Sequence, residues 1–267
     1  MAPELPEIDT ERPNAARMYD YFLGGAHHFA ADRAQADLVA ARMPEIVTVA
    51  RANRDFLGRV VTWCLGQGIR QFLDLGSGVP TVGNVHEIAQ RHDPAARVAY
   101  VDVEPVAAAH ARQILAEVEG ATATRADLRD VDAVLTAASA LLDLGEPVAV
   151  LAVAVLHFVP DDPEPVADVL ARYRARLAPG SVLALSHSSA DQDDPELAAR
   201  VRAGIDAYRG TASEPTRRDR TAVRALLGDL ELVPPGVVDV VHWPTPHPTA
   251  AATGLYAAVG RASANPG

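Results

Sequence analysis

The sequence predicts an α/β protein with a mostly parallel central sheet, helices on both of its faces and a helical extension in front. Three observations carry this. Four short apolar runs of strand length, Gln71–Leu75, Arg97–Val101, Val148–Val153 and Ser181–Ser186, alternate with tracts of helical periodicity. A glycine-rich loop, Gly76-Ser-Gly78, follows the first of those runs. Ahead of it, the residues up to about Gly68 show helical rather than strand-like apolar spacing.

In chain order, residues 1–13 read as a mobile arm ending at Pro13. Residues 14–68 read as a helical segment. Asn14 is an N-cap for a helix carrying Met18, Tyr21 and Phe22, Gly24-Gly25 breaks it, and further helices cover Ala30 to Met43 and about Glu45 to Leu65. Residues 69–267 form the sheet domain, with intervening helices at Asn84–His92, Pro105–Val118, Val131–Leu142 and Glu164–Leu177. Strand–helix alternation implies right-handed crossovers and parallel pairing. Late in the chain a helix is expected at Thr221–Leu227. Strands at Leu230–Val233, Val237–His242 and Leu255–Gly260 would complete the far side of the sheet.

Composition narrows the function. With 49% hydrophobic and 22% charged residues the chain has ample material for a core. All 24 basic side chains are arginine, which excludes both a Schiff-base lysine and a P-loop lysine. A net charge of −11 disfavours a nucleic-acid backbone as partner and favours a small or cationic ligand. Cys64, the single cysteine, cannot form an internal disulfide, consistent with a reducing cytoplasm. The acidic, proline-containing stretch Met1–Thr10 does not read as a signal peptide, and no apolar run has the length of a membrane span.

The segment Phe72-Leu-Asp74-Leu-Gly76-Ser-Gly78-Val-Pro80 is the most informative. In a doubly wound sheet the loop after the first strand sits at the carboxyl edge, where ligands bind, and glycines let backbone approach them. Thr81 stands where the dinucleotide fingerprint requires its third glycine. Asp74 would oppose a pyrophosphate and favour a cation, or else it caps the loop through backbone N–H groups. Asp102 ends the next strand 24 residues past Gly78, near the spacing of an acid that accepts from ribose hydroxyls. Asp127 either accepts from an adenine amino group, with Leu128 flanking the ring, or caps a helix.

The ordered set Asp74-x-Gly76-x-Gly78, Val101-Asp102-Val-Glu104-Pro105, Ala126-Asp127-Leu128, Leu156-His157-Phe158-Val159-Pro160 and Leu177-Ala-Pro179-Gly180-Ser181 resembles the successive motifs of Rossmann-like class I methyltransferases. More narrowly, Pro13-Asn-Ala-Ala-Arg17-Met-Tyr19-Asp20-Tyr21-Phe-Leu-Gly24-Gly25 and Ala52-Asn53-Arg54-x-Phe56-Leu57 resemble an actinobacterial family of S-adenosylmethionine-dependent methyltransferases long catalogued as a domain of unknown function. The resemblance runs from Pro13 to about Arg261. It implies S-adenosylmethionine as cofactor, whose ammonium and sulfonium satisfy the charge argument, and Gly76, Ser77, Gly78, Asp102, Asp127 and Leu128 as its contacts. It implies no particular acceptor.

Further candidate contacts to the cofactor are Asp74, Val103, Val153, Ala154, Tyr21 and Arg54. Arg17, Arg51 and Arg54 are the arginines available for its carboxylate, which a planar guanidinium would bind bidentately. The first helix, with Tyr19 and Tyr21 ahead of Gly24-Gly25, either folds over the cofactor as a hinged lid or packs on the sheet. His157 follows the Val148–Val153 strand and His187 the Ser181–Ser186 strand, so either could be a general base, and Tyr19 is the third catalytic candidate. No metal is expected: His27-His28 lacks ligand spacing, and Asp191, Asp193 and Asp194 read as a loop capping a helix from Pro195. The expected partner is a small-molecule acceptor. The competing readings are a non-catalytic S-adenosylmethionine-binding regulator and an NAD-dependent oxidoreductase, the second opposed by Thr81 and Asp74.

Overall fold

A computed structural model describes residues 8–79, 83–247 and 249–263; Thr81, whose replacement of a glycine entered the sequence argument, lies outside them. Three helices open the chain, α1 (Ala15–Phe22), α2 (Ala30–Arg42) and α3 (Ile46–Gly66). Asn14 caps α1 by accepting from the Ala16 and Arg17 amides, and Gly24, with φ +80°, turns the chain after it. Met18, Phe22, Ala36, Val39 and Ala50 bury together with Tyr208 in a core of their own.

The alternating part follows as β1 (Gln71–Leu75), α4 (Val85–His92), β2 (Arg97–Asp102), α5 (Pro105–Leu115), β3 (Ala121–Arg125), α6 (Val131–Ala138), β4 (Ala149–Val153), α7 (Val166–Arg174) and β5 (Val182–Ser188). Next come α8 (Pro195–Asp206), α9 (Arg220–Leu226), β6 (Glu231–Leu232), β7 (Val238–Asp239) and β8 (Leu255–Arg261). The sheet order is β3-β2-β1-β4-β5-β8-β6, with β7 beside β8. β1 to β5 pair in parallel, and β8 runs antiparallel to β5 from Val182↔Arg261 to Ser188↔Leu255. Two apolar cores, one on each face, bury alternate residues of the same strands: Leu73 and Leu75 on one side, Phe72 on the other. The order reverses between β1 and β4, which is where such a sheet opens a crevice at its carboxyl edge.

The structure corrects several sequence expectations. β3 is a strand although Ala121-Thr-Ala-Thr-Arg125 has no apolar run; it lies at the sheet edge and buries only Ala121. The Val237–His242 strand shrinks to Val238–Asp239, because the Asp239 carboxylate accepts from the Val241 amide and starts a 3₁₀ turn at Val240–His242. β5 extends to Ser188, so His187 lies within the strand, opposite Tyr256, rather than after it. α5, α6 and α7 each end earlier than expected, at Leu115, Ala138 and Arg174. Among the described residues no helix is long and apolar enough to cross a membrane.

Candidate functional site

Leu75 ends β1, and the chain turns through Gly76 and Gly78 with φ of +66° and +67°, a region side chains disfavour. The Gly76 and Ser77 amides both donate to the Val101 carbonyl, at 2.8 and 3.2 Å, which ties the turn to β2. A Cβ on Gly76 would fall 2.1 Å from Val155 Cγ2. The glycine is therefore required both by its backbone angle and by the segment after β4 that crosses it.

Asp102, the last residue of β2, braces this loop. Its Oδ2 accepts from the Gly78 amide at 2.7 Å and its Oδ1 from the Glu104 amide at 2.8 Å. Burial pushes its carboxyl up to about 6 against the pull of those backbone donors. Asp74 is buried in β1 beside it and is pushed up to about 7, by desolvation first and then by the Asp102 charge, with the Arg54 guanidinium working the other way. Two carboxylates held so close in a dry site are costly to ionise together, and a cation arriving there relieves both.

These residues line one cavity of about 590 Å³, a size suited to a cofactor. Its polar half lies over β1 and β2 and includes Asp74, Gly76, Ser77, Gly78, Asp102, Val103, Asp127 and Leu128. Its other half is framed by α1, α3 and the segment after β4, with Tyr19, Phe22, Ile46, Val49, Phe158 and Tyr208 on its walls. Among the described residues five carboxylates (Asp74, Asp102, Glu104, Asp127 and Glu214) and two arginines (Arg54 and Arg129) line the cavity, and with Glu104 paired to Arg17 and Asp127 to Arg129 the acidic excess rests on Asp74, Asp102 and Glu214. The cavity therefore selects a cationic or neutral occupant.

Most of the predicted cofactor residues converge here. Val103, just after β2, is 58% exposed, and Leu128 is buried; both line the cavity. Ala154 lines the cavity with φ +55°, unusual for a residue with a Cβ, and its amide donates to Ser186 Oγ at 2.8 Å; Val153 precedes it on the wall. Asp127 does not cap a helix, since Asp130 caps α6; its carboxylate accepts from the Arg129 amide and grips the Arg129 guanidinium, which holds it below the usual carboxylate range despite burial.

Others are placed elsewhere. Tyr21 does not line the cavity; its hydroxyl donates to Asp37 Oδ1 of α2. Arg17 is saturated by Asp32, Glu104 and the carbonyls of Asp9 and Arg12, so it is a buried tie between α1, α2 and the loop after β2. Arg51 is exposed and off the wall, leaving Arg54 as the lining arginine of the three. His187 is fully buried, with Nε2 2.7 Å from Arg218 Nη1 and Nδ1 2.8 Å from the Ser188 carbonyl. Arginine must donate, so Nε2 accepts and Nδ1 carries the proton. Both nitrogens are engaged outside the cavity, and the general-base expectation for His187 does not fit that position.

Tyr19 lines the cavity, but its hydroxyl donates to the Ala50 carbonyl and accepts from Asn53 Nδ2, and burial raises its pKa, so it keeps its proton. Asn53 Oδ1 in turn accepts from Ser186 Oγ at 2.6 Å. This chain from α1 through α3 to β5 and the Ala154 turn was not visible in the sequence, although Asn53 sits in the Ala52-Asn53-Arg54 motif. Glu104, which holds Arg17 and caps α5, was likewise missed. Among the described residues no three His, Cys, Asp or Glu side chains converge to hold a metal.

Sequence and fold comparisons fit this geometry. The S-adenosyl methyltransferase family matches residues 1–263. The chain belongs to that family. Among solved structures, a Thermobifida fusca protein described provisionally as a methyltransferase is 35% identical over 98% of this chain and all of its own, with a TM-score of 0.88. A DUF574 family protein from Streptomyces avermitilis is 34% identical over 96% of this chain and all of its own, with a TM-score of 0.86. An O-methyltransferase family protein from Burkholderia thailandensis, 15% identical over 97% of this chain and 66% of its own, shares the fold at a TM-score of 0.57. No functionally curated protein matches the chain. This member of the S-adenosyl methyltransferase family is thus an S-adenosylmethionine-dependent methyltransferase. The NAD oxidoreductase and non-catalytic readings give way to it.

Proposed function

We propose that this methyltransferase binds S-adenosylmethionine across the β2-β1-β4 edge and methylates a small-molecule acceptor in the α1–α3 half of the cavity. The observation that carries the placement is the paired acid cradle: Asp102 bracing a side-chain-free Gly76–Gly78 turn, with Asp74 and Arg54 beside it. The residues fit the cofactor part by part. Asp74 and Arg54 offer opposite charges to the ammonium and carboxylate of its amino-acid end. Asp102 uses two lone pairs on backbone amides and retains others for ribose hydroxyls. Val103 and Leu128 offer apolar faces to adenine, and Asp127 accepts from its amino group. Ser77, Val153 and Ala154 complete the wall with backbone.

When bound, S-adenosylmethionine supplies an electrophilic methyl group on a sulfonium. The protein's own work is to align, dehydrate and, where the acceptor is protic, take a proton. The Tyr19–Asn53–Ser186 hydrogen bonds fix the Ala154 turn beside the wall and hold α1 over the cavity, where the Arg17 ion pairs to Asp32 and Glu104 also anchor it. Tyr19 is then a positioning residue. The acidic cavity and net charge support a small neutral or cationic acceptor rather than nucleic acid. The buried thiol of Cys64 supports a reducing, cytoplasmic setting.

Calorimetric titration with S-adenosylmethionine, S-adenosylhomocysteine and NAD tests the reading. Binding of both sulfur ligands and no binding of NAD is expected; binding of NAD alone would overturn it.

A further inference from the structure

Resting on that placement of the cofactor, we propose that the acceptor is a flat, neutral aromatic molecule bearing a phenolic hydroxyl, held among Tyr19, Phe22, Phe158 and Tyr208, and that His157 Nε2 takes its proton. Four observations lead there. The half of the cavity away from the glycine loop is walled by these four aromatic rings, with Phe158 and Tyr208 5.6 Å apart and tilted by 49°. Among the described residues the cavity's lining arginines are Arg129, paired with Asp127, and Arg54, whose charge reaches both Tyr19 and Asp74 and is assigned to the cofactor carboxylate, so no further lining cation is offered to an anionic acceptor.

The third observation is His157 itself. It follows β4 in a 3₁₀ turn, Leu156–Phe158, is 6% exposed, and lines both this cavity and a smaller apolar pocket behind it. Its Nδ1 is buried with no hydrogen-bond partner, while Nε2, which makes no hydrogen bond among the described residues, is not buried in this way and is open to a ligand. A buried polar atom left unpaired is costly, so an imidazole with an unpaired buried Nδ1 and an open Nε2 at a cavity wall points to a ligand contact. The groups facing it are His187 at 5.4 Å between ring centroids, in the neutral form that Arg218 enforces, and the Arg218 charge; neither is a carboxylate that would hold it as imidazolium. Burial and those neighbours hold His157 well below the ordinary histidine range, so it is neutral near pH 7.

Fourth, the smaller pocket shares His157, Phe158, Ile46, Val49, Tyr208 and Leu255 with the main cavity and continues into Met43 and Val201, an apolar recess for the ring's far edge or a hydrocarbon substituent. In the transfer, the sulfonium carbon–sulfur bond breaks and its electron pair stays on sulfur as a thioether. The phenolic oxygen forms the new carbon–oxygen bond. The hydroxyl proton passes to His157 Nε2 and then to water at the cavity mouth. A weak base suffices, since the hydroxyl becomes strongly acidic as the methyl bonds to oxygen.

The test uses the full-length protein with naphthol, naphthylamine and naphthoate as probes, measuring calorimetric binding in the presence of S-adenosylhomocysteine and methylated product with S-adenosylmethionine. Naphthol should bind and give its methyl ether, while naphthoate and naphthylamine give no product. His157→Gln should lower naphthol methylation about 100-fold, with cofactor affinity held within about threefold. Naphthol methylation by His157→Gln at the wild-type rate overturns the role of His157; if that variant does not fold, the wild-type probe series still decides the acceptor. Methylation of the amine or carboxylate in preference to naphthol, or cofactor binding with no naphthol binding, overturns this inference and leaves the cofactor placement standing. Failure of the cofactor itself to bind overturns both.

Discussion

Lowering the pH should weaken cofactor binding in a way that Asp74 and Asp102 dictate. Both are buried, 5% and 8% exposed, and their carboxyls are pushed up to about 7 and about 6. A ligand whose ammonium meets Asp74 and whose ribose hydroxyls donate to Asp102 binds their ionised forms better. Between about pH 8 and about pH 6 most of the Asp74 charge and about half of the Asp102 charge are lost, so affinity should fall by about one order of magnitude, or about 1–2 kcal/mol. The stability of the cofactor-free protein should move the other way. Folded values above the unfolded one mean that the stability these two groups contribute is fully present below about pH 4 and lost as pH rises through about 6 to 7. Asp74→Asn should therefore raise the cofactor-free melting temperature at about pH 8, remove most of the pH dependence of binding and lower affinity there. Calorimetry across that pH range with S-adenosylhomocysteine, alongside thermal melts, reads all three. An affinity that is flat or rises on acidification would refute the argument.

Asp102→Ala should weaken cofactor binding by about 1–3 kcal/mol, as ribose hydroxyls and the Gly78 amide lose their acceptor; titration checks it. Gly76→Ala places a methyl against Val155 in a left-handed turn and should cost about 1–3 kcal/mol of stability, read by denaturant unfolding, together with cofactor affinity. Arg17→Ala strands the buried Asp32 and Glu104 carboxylates and should destabilise by about 3–5 kcal/mol in the same assay.

The sequence made the parallel part of the fold legible because β1, β2, β4 and β5 are buried on both faces and read as apolar runs, with glycine and acid punctuation at their carboxyl ends. β3 escaped because an edge strand can alternate alanine and threonine without an apolar run. The lining of the polar half of the cavity was legible for a local reason: Asp74, Gly76, Gly78 and Asp102 stand at fixed offsets from strand ends. What could not be read was set by distant pairing. His187 looks like a free base until Arg218, 31 residues on, takes its nitrogen, and Arg17 looks like a ligand arginine until Glu104, 87 residues on, takes its guanidinium. Tyr21 failed similarly, since only the packing of α1 on α2 shows that its hydroxyl meets Asp37.

The most direct measurement is a crystal structure of the protein with S-adenosylhomocysteine. The ribose hydroxyls should lie within hydrogen-bond reach of Asp102, the amino-acid end between Asp74 and Arg54, and the sulfur toward His157. A ligand bound outside the Gly76–Gly78 cradle, or with its ribose away from Asp102, would contradict the account.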